Sequence, residues 1–208
     1  MAFNTNCTRC SRLADFLENV RKEHPEYHAR PVPAFGVSDP DLLIVGLAPG
    51  MHGANATGRP FTGDHAGIIL YEMLYEFGFS NQPESTHRRD GLKLKQCRIT
   101  NAVKCLPPQN KPVGQEVNTC NEFLADEIRA LRPGAIILAL GGVAHKAVVR
   151  ACGLRQKDYV FTHAGRHHLD GLQLVDSYHC SRYNTQTKRL TPAMFRGVFR
   201  KVRKLLDK

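Results

Sequence analysis

Apolar residues along this chain are grouped into short continuous runs, and these runs alternate with longer segments of helix-like character. Four runs predict β-strands, at Leu42–Leu47, Arg98–Val103, Ala135–Leu140 and Leu172–Tyr178. Three of these strands are apolar on both faces, as in a parallel sheet that is buried between two layers of helices. The alternation therefore predicts an α/β fold, a three-layer sandwich in which helices flank a mainly parallel sheet.

The segments of helix-like character carry residues at their ends that start or stop helices. They span Ser11–His24, His65–Phe77, Gln115–Leu131, Gly142–Cys152 and Pro192–Leu206. Thr191 is a suitable N-cap ahead of the first-turn residue Pro192. Gly78 and Gly153 are suitable stops for the helices before them.

The segments between these elements predict loops, and three of them follow strand ends. Pro31–Asp41 and Gln82–Leu94 predict surface loops, and His163–Gly171 predicts a turn before the last strand. In open parallel sheets, ligands bind beyond the carboxyl ends of the strands. We therefore expect the chemistry in the segments that follow strand ends, which are Gly46–Asp64, Asn101–Cys105 and His179–Thr187.

Length and charge narrow the class of protein. The 208 residues, 42% of them hydrophobic, suffice for one domain with its own core. No apolar run is long enough to span a membrane. The polar segment Met1–Ser11 lacks the layout of a signal peptide, so we expect a cytoplasmic protein. The net charge of +10 favours a polyanionic partner, most commonly nucleic acid.

Seven cysteines are many for an intracellular chain of this length. An odd number in a reducing compartment argues against a disulfide framework and favours a metal or a cluster. Cys7 and Cys10 form a C-x-x-C pair, whose two thiolates can bind one group, while Cys105 and Cys120 stand singly. A zinc knuckle would more often add a second C-x-x-C pair, which the sequence lacks.

A glycine-rich segment, residues 46–53, follows the first predicted strand. Its small residues let the backbone approach a ligand closely. Neither G-x-x-x-x-G-K-[ST] nor G-x-G-x-x-G occurs there, so the segment is a poor match to a phosphate-binding loop. The residues that follow bring the ring of Phe61 and the carboxylate of Asp64 to the same edge of the predicted sheet.

These motifs resemble a known family. The string GLAPGMHGANATGRPFTGD, residues 46–64, is similar to the first motif of the family-5 uracil-DNA glycosylases, the iron–sulfur type often called UdgB-like. The resemblance continues in ITNAVKC, residues 99–105, and in HCSRYNTQT, residues 179–187. It also covers the C-x-x-C pair and the final helix, so it extends over nearly the whole chain.

The resemblance implies an activity, a fold and a cofactor. The activity is that of a monofunctional DNA glycosylase, which hydrolyses the N-glycosidic bond of uracil and initiates base excision repair. Hypoxanthine, xanthine and other deaminated bases are further implied substrates. The sheet would have four strands, within a single domain over residues 1–208, and we expect a monomer. A [4Fe–4S] cluster would be bound by Cys7, Cys10, Cys105 and Cys120 in an N-terminal cluster-binding segment.

Base flipping assigns roles to four residues within these motifs. Phe61 would stack on the extruded base. Asn101 would recognise its Watson–Crick edge, since a carboxamide can accept from uracil N3–H and donate to O4. His179 would stabilise the charge that develops at uracil O2. Asp64, which matches an aspartate implicated in the family, would orient water and stabilise the cationic sugar.

Other residues of the motifs are expected to bind the substrate without reacting. The backbone at Gly46, Ala48, Pro49 and Gly50 would approach the base. The loop 181–187 would enter the minor groove and contact DNA. Its DNA-binding residues would be Arg182, Tyr183 and Asn184.

The sequence departs from related glycosylases at two positions. Leu47 stands where others often carry an acidic residue or asparagine, so the pocket is expected to be less selective. Cys180 stands where related glycosylases commonly carry the proline of a His-Pro-Ser motif. Two other hypotheses remain open at this point: a non-catalytic DNA-binding protein with a cluster or zinc, and a nucleotide-binding enzyme.

Overall fold

In a computed structural model, which describes residues 3–207, helices and strands alternate along the chain. The helices are α1 (Ser11–Glu23), α2 (Ala54–Thr57), α3 (His65–Glu76), α4 (Gly114–Arg129), α5 (Gly142–Ala151), α6 (Arg182–Gln186) and α7 (Pro192–Leu206). The strands are β1 (Phe35–Gly36), β2 (Leu42–Gly46), β3 (Cys97–Asn101), β4 (Ile136–Leu140), β5 (Arg166–Leu169) and β6 (Leu172–Ser177). The predicted order of long helices and apolar strands is confirmed.

The strands form one sheet in the order β1-β3-β2-β4-β6-β5. The inner strands β3, β2, β4 and β6 are parallel to their neighbours. The edge strands β1 and β5 run antiparallel to β3 and β6. The α/β class with a mainly parallel sheet is therefore confirmed, whereas the expected number of four strands is wrong, because the sheet has six.

The two additional strands lie in segments predicted as a loop and a turn. β1 is only two residues long, too short to leave a period-two pattern in the sequence. β5 has the sequence Arg-His-His-Leu and buries only its last residue. An edge strand pairs along one side only, so it does not need the apolar residues that identify a buried inner strand.

Alternate side chains of the inner strands pack into two separate cores. Leu42 and Ile44 of β2 belong to a cluster with α3 and α7, whereas Leu43 and Val45 belong to a cluster with α4 and α5. Side chains alternate between the faces of a strand, so a continuous apolar run fills both layers. This packing explains why the inner strands were recognisable as apolar runs.

A third core lies under α1. Leu13, Leu17 and Val20 of this helix pack against Val103 and Leu106, in the segment that follows β3. The N-terminal helix thus covers the chain at the point where it leaves the carboxyl end of the sheet. Over residues 3–207, no helix is long and apolar enough to cross a membrane.

Candidate active site

A cavity of about 1300 Å³ opens beyond the carboxyl ends of the parallel strands. The segments after β2, at the end of β3 and after β6 all contribute to its walls. They bring Phe61, Asp64, Asn101 and His179 together from positions far apart in the chain. The volume is ample for a base with its sugar.

The other predicted site residues divide between the cavity wall and its surroundings. Ala48, Gly50, Arg182 and Tyr183 line the cavity, as does Leu47. Gly46, Pro49 and Asn184 are not among its lining residues. Gly46 nevertheless lies directly behind the wall, and the Nδ2 of Asn184 donates a hydrogen bond to the carbonyl of His179 at 2.8 Å.

Phe61 lies where the cavity meets the core. Its side chain is 6% exposed, and its ring centroid lies 6.0 Å from that of His179 with the planes tilted by 30°. Tyr71 donates a hydrogen bond to the carbonyl of Pro60 at 2.8 Å, which holds the backbone before Phe61. A Cβ at Gly67 would lie 1.9 Å from the Phe61 carbonyl oxygen, so α3 can approach this loop only with a glycine there. The ring is therefore held in one position.

Asn101 ends β3 and pairs in register with Gly46 of β2. Its side chain is 4% exposed, and its Oδ1 atom has no hydrogen-bond partner. A buried carbonyl oxygen without a donor costs about 1–3 kcal/mol. Because this residue lines the cavity, a ligand that offers an N–H group would remove that cost.

His179 follows β6 and lines the same cavity as Asn101. Burial lowers the pKa of His179 to about 4, so the imidazole is neutral near pH 7. A neutral ring has one N–H to donate. Gly141 lies beside it, where a Cβ would be in van der Waals contact with the Cβ of His179 at 3.4 Å.

The two carboxylate oxygens of Asp64 lie in different surroundings. It is the N-cap of α3, and its Oδ1 accepts a hydrogen bond from the Gly67 amide at 2.9 Å. Its Oδ2 lies against the glycine-rich segment, where a Cβ at Gly53 would come within 2.5 Å of it. Burial raises the pKa of Asp64, although the amides at the start of α3 oppose this shift. The glycines of the first motif thus make room for a buried carboxyl group.

The loop beside His179 presents polar and aromatic groups at the cavity. Ser181 caps the short helix α6 through the amide of Asn184, and Tyr183 is 70% exposed. The hydroxyl of Thr185 lies 2.9 Å from Nε2 of His65, which joins this loop to the start of α3. Arg182 and Tyr183 therefore project from a loop that is tied to the Asp64 helix.

Four cysteines surround a second, smaller cavity beneath α1. It is lined by Cys7, Cys10, Cys105 and Cys120. Burial raises the pKa of the Cys120 thiol to about 11 and also raises those of Cys10 and Cys105, with a further contribution from neighbouring thiolates. A site of this kind favours deprotonated thiolates only when positive charge is placed among them.

The spacing of these sulfur atoms bears on what they can bind. Among the described residues 3–207, no three cysteine sulfur atoms lie within 4.8 Å of one another. Four thiolates around a single Zn²⁺ ion, each at about 2.3 Å, would be closer than that. The backbone amide of Lys104 donates to the Cys120 sulfur at 3.3 Å, a contact that stabilises a thiolate. The four thiols are donors of the kind that bind a metal ion or an iron–sulfur cluster.

One buried network near β6 was not predicted from the sequence. The Oδ1 of Asp176 lies 2.8 Å from Nδ1 of His145, and its Oδ2 lies 3.2 Å from Nε2 of His167. The other nitrogen of His145 donates to the Tyr159 carbonyl at 2.8 Å. Burial opposes protonation, but these bonds raise the pKa of His145. Both nitrogens of His145 are occupied, so the network braces α5 against β6 just before His179.

Residues 83–86 also line the main cavity, although their segment was predicted only as a surface loop. Nothing in the local pattern of Pro83–Thr86 marks a binding residue. The available signal was the pair of arginines, Arg88 and Arg89, shortly after this segment.

The chain is similar to known proteins over most of its length. The family model of the uracil DNA glycosylase superfamily matches residues 33–203. A type-5 uracil-DNA glycosylase of Thermus thermophilus is 43% identical over 207 residues, covering 97% of this chain and 94% of the relative. A type-5 enzyme of Pyrobaculum aerophilum is 40% identical over 200 residues, covering 94% and 87%. A type-4 enzyme of the same organism is 33% identical over 192 residues, covering 91% and 89%.

The two type-5 enzymes, at 43% and 40% identity, are therefore more similar to this chain than the type-4 enzyme, at 33%. The resemblance found in three motifs extends over the whole matched region, and the motifs meet at one cavity. The chain belongs to the uracil DNA glycosylase superfamily, among the type-5 uracil-DNA glycosylases.

Proposed function

We propose that this protein hydrolyses the N-glycosidic bond of uracil in DNA, leaves the sugar–phosphate backbone intact and so initiates base excision repair. The observation that carries the proposal is the buried, unpaired Oδ1 of Asn101 in a cavity walled by Phe61 and His179. The family assignment supports the same activity. Neither a non-catalytic DNA-binding protein nor a nucleotide-binding enzyme receives similar support.

Binding begins with extrusion of the nucleotide, because the bond to be cut lies inside the duplex. Phe61 stacks on the flipped base, an interaction of about 1–3 kcal/mol. The Asn101 Oδ1 accepts from uracil N3–H, and its amide nitrogen donates to O4. Cytosine presents a lone pair and an amino group at those positions, so it would leave the buried amide unsatisfied.

Cleavage places negative charge on the base and positive charge on the sugar. The neutral ring of His179 donates its N–H to O2 as that oxygen becomes negative. The Oδ2 of Asp64 orients the attacking water and stabilises the cationic sugar, while Oδ1 remains bound to the Gly67 amide. The C1′–N1 bond breaks, the water oxygen bonds to C1′, and the water proton is accepted by the Asp64 carboxylate. The base leaves as an anion and is protonated afterwards.

The substrate range is proposed to extend to hypoxanthine, xanthine and other deaminated bases. Leu47 lines the cavity and has no polar group with which to reject a larger or different base. Ala48 and Gly50 line the cavity and form the floor against which the base lies, whereas Gly46 supports Asn101 and Phe61 from behind the wall. Discrimination therefore depends mainly on Asn101 and on the energy of extrusion.

DNA around the extruded nucleotide is bound by the loop that carries Arg182, Tyr183 and Asn184. Tyr183 and Arg182 line the entrance and contact the strand, while Asn184 holds the loop through the His179 carbonyl. The charge of +10 supplies the sequence-independent attraction to phosphate.

We also propose that Cys7, Cys10, Cys105 and Cys120 bind a [4Fe–4S] cluster. When bound, the cluster supplies cross-links between the N-terminal segment and the chain after β3. The cysteine cavity is separate from the cavity that contains the base-binding residues, so the role of the cluster is structural.

The test uses a duplex with one uracil at a defined position. The parental protein should give strand breaks only after mild alkali, because hydrolysis leaves an abasic site in an intact strand. A duplex with cytosine at the same position should remain intact. Strand breaks before alkali would contradict the monofunctional assignment, and intact uracil DNA would contradict the activity itself.

A further inference from the structure

The segment that contributes residues 83–86 to the cavity wall continues into a short basic turn, residues 86–90. We call these residues the 86–90 arm. Its tip carries Arg88 and Arg89, which are exposed. Within residues 3–207, neither guanidinium group has an ion pair. The arm thus places two unpaired positive charges next to the proposed base pocket.

The arm is held to the Phe61 loop by a buried ion pair. The Nη2 of Arg59 lies 2.6 Å from Oδ2 of Asp90, with the side chains 4% and 6% exposed. The Nε of Arg59 donates to the Thr62 hydroxyl at 3.0 Å, and the Nη2 of Arg59 also donates to the His87 carbonyl. Arg59 therefore contacts both the arm and the residue next to Phe61.

Asp90 shapes the turn itself. Its carboxylate accepts hydrogen bonds from the amides of Thr86 at 2.9 Å, His87 at 3.3 Å and Leu92 at 3.0 Å. The hydroxyl of Ser85 lies 2.6 Å from that of Thr62, which closes the connection to the cavity wall. A buried ion pair is seldom a gain in stability over apolar packing, but it does hold one geometry. Here it holds the tip in a fixed position relative to Phe61.

The chemistry around the tip favours an anion with several oxygens. The guanidinium group presents a planar set of donors that matches a phosphate. Burial lowers the pKa of His28, and the charges of Arg88 and Arg30 contribute to the same shift. Asp90, the acidic residue within the arm, is already neutralised by Arg59.

We propose that the 86–90 arm binds backbone phosphates of the DNA strand beside the extruded nucleotide, as a second DNA-binding element in addition to the Arg182 loop. The inference rests on the proposed action on DNA. The connection through Arg59 and Thr62 fixes the distance between the arginines that would bind phosphate and the Phe61 ring that stacks on the base.

A salt titration of DNA binding tests the arm directly. The variant Arg88→Ala/Arg89→Ala is compared with Arg150→Ala/Lys157→Ala, which also loses two exposed positive charges but lies outside the cavity lining. Affinity is followed by fluorescence anisotropy on an undamaged duplex and on one with a non-hydrolysable uracil nucleotide. Each lost phosphate contact should lower the slope of log affinity against log salt by about 0.9, so the arm variant should lose about 1.8.

The control should keep nearly the parental slope, and the arm variant should bind on the order of tenfold more weakly at about 0.1 M salt. Equal slopes for the two double variants would overturn the proposal. The undamaged duplex keeps this result separate from the glycosylase activity. If the parental protein releases no uracil, the proposed function fails, while the slopes still decide whether the arm contacts phosphate.

Asp90→Asn gives a second test, because the change in charge and the loss of order in the arm predict opposite changes in DNA affinity. Removing a negative charge should by itself strengthen binding to DNA. If the carboxylate instead orders the tip for phosphate, Asp90→Asn should bind DNA more weakly than the parental protein. Tighter binding by a folded Asp90→Asn protein would contradict the ordered arm. If this variant does not fold, the arginine pair and its control decide the question.

Discussion

Gly46 and Phe61 are in such close contact that a Cβ atom at Gly46 would lie 2.6 Å from the Cζ atom of the ring. The same Cβ would lie 2.4 Å from Oδ1 of Asn101. The glycine that ends β2 therefore sets the positions of the two groups that we propose contact the base. Its role is one of space, since its own atoms do not line the cavity.

Gly46→Ala should displace both side chains and lower uracil release by about 100-fold or more, because a displacement of about 1 Å has effects of that order. Single-turnover cleavage of a uracil duplex measures the effect. Gly197→Ala is a matched control, since nothing lies within 4 Å of a Cβ there. It lies within α7 and should raise the melting temperature slightly without changing the cleavage rate. Parental activity in Gly46→Ala would contradict the close-contact argument.

Asn101→Asp should change which bases are accepted. A carboxyl group has lost the N–H that donates to uracil O4, and in its protonated form it can donate to cytosine N3. We expect uracil cleavage to fall by at least tenfold relative to cleavage at cytosine. Single-turnover rates on matched uracil and cytosine duplexes measure the ratio. An unchanged ratio would show that Asn101 does not recognise the base.

Two substitutions at Asp64 separate its structural and chemical roles. Asparagine is as good an N-cap as aspartate, so Asp64→Asn should keep the stability of α3 but lose the carboxylate. Asp64→Ala should lose the carboxylate and also about 1 kcal/mol of stability. Both variants should cleave every accepted lesion on the order of 100-fold or more slowly, because water orientation does not depend on the base.

Urea denaturation measures the stability of the Asp64 variants, and single-turnover assays measure their cleavage. DNA affinity should survive in both, since removing a negative charge does not weaken attraction to phosphate. A loss confined to one lesion would mean that Asp64 recognises the base instead of assisting the chemistry.

The lowered pKa of His179 predicts a pH dependence of stability. Its folded-state pKa of about 4 lies below the unfolded value of about 6.5, so between these values the unfolded chain binds the proton. The contribution of His179 to stability is therefore complete above about pH 6.5 and is lost as the pH falls toward 4. The free energy of unfolding of His179→Gln should fall less steeply than the parental value over this window. Parallel pH profiles for the two proteins would contradict the lowered pKa of His179.

The cysteine cavity predicts a coloured protein. Anaerobically purified parental protein should be brown with broad visible absorbance, and Cys105→Ser should reduce both iron content and melting temperature. Cys152→Ser is the control, because Cys152 lies at the end of α5 and outside the cysteine cavity. Active, colourless protein that contains zinc and no iron would contradict the proposed cluster.

How well each helix or strand could be predicted from the sequence depends on how it is stabilised. The inner strands were recognisable because both faces are buried, and α7 was predicted with its observed bounds because Thr191 and Pro192 mark its start. β1 was missed because an edge strand of two residues has no pattern of its own. The helix α2 was missed for the same reason of length.

The functional residues of the main cavity were easier to predict than the contacts that hold its walls in place. Phe61, Asp64, Asn101 and His179 follow strand ends, and parallel strands bring such residues to one edge. The bond between Arg59 and Asp90 joins residues 31 positions apart in the sequence. No local pattern records a contact of this kind, so the wall formed by residues 83–86 required the structure.

Asn101 and Cys105 belong to one short stretch of chain, although they serve different cavities. Between them, the amides of Ala102 and Val103 donate to the carbonyls of Gly46 and Leu47 at 2.9 and 3.0 Å. The stretch is thus fastened to the glycine-rich segment and cannot shift at one end alone. Transplanting this pocket into another glycosylase would therefore require residues 101–105 to be moved together, so that the proposed ligand Cys105 accompanies the amide of Asn101.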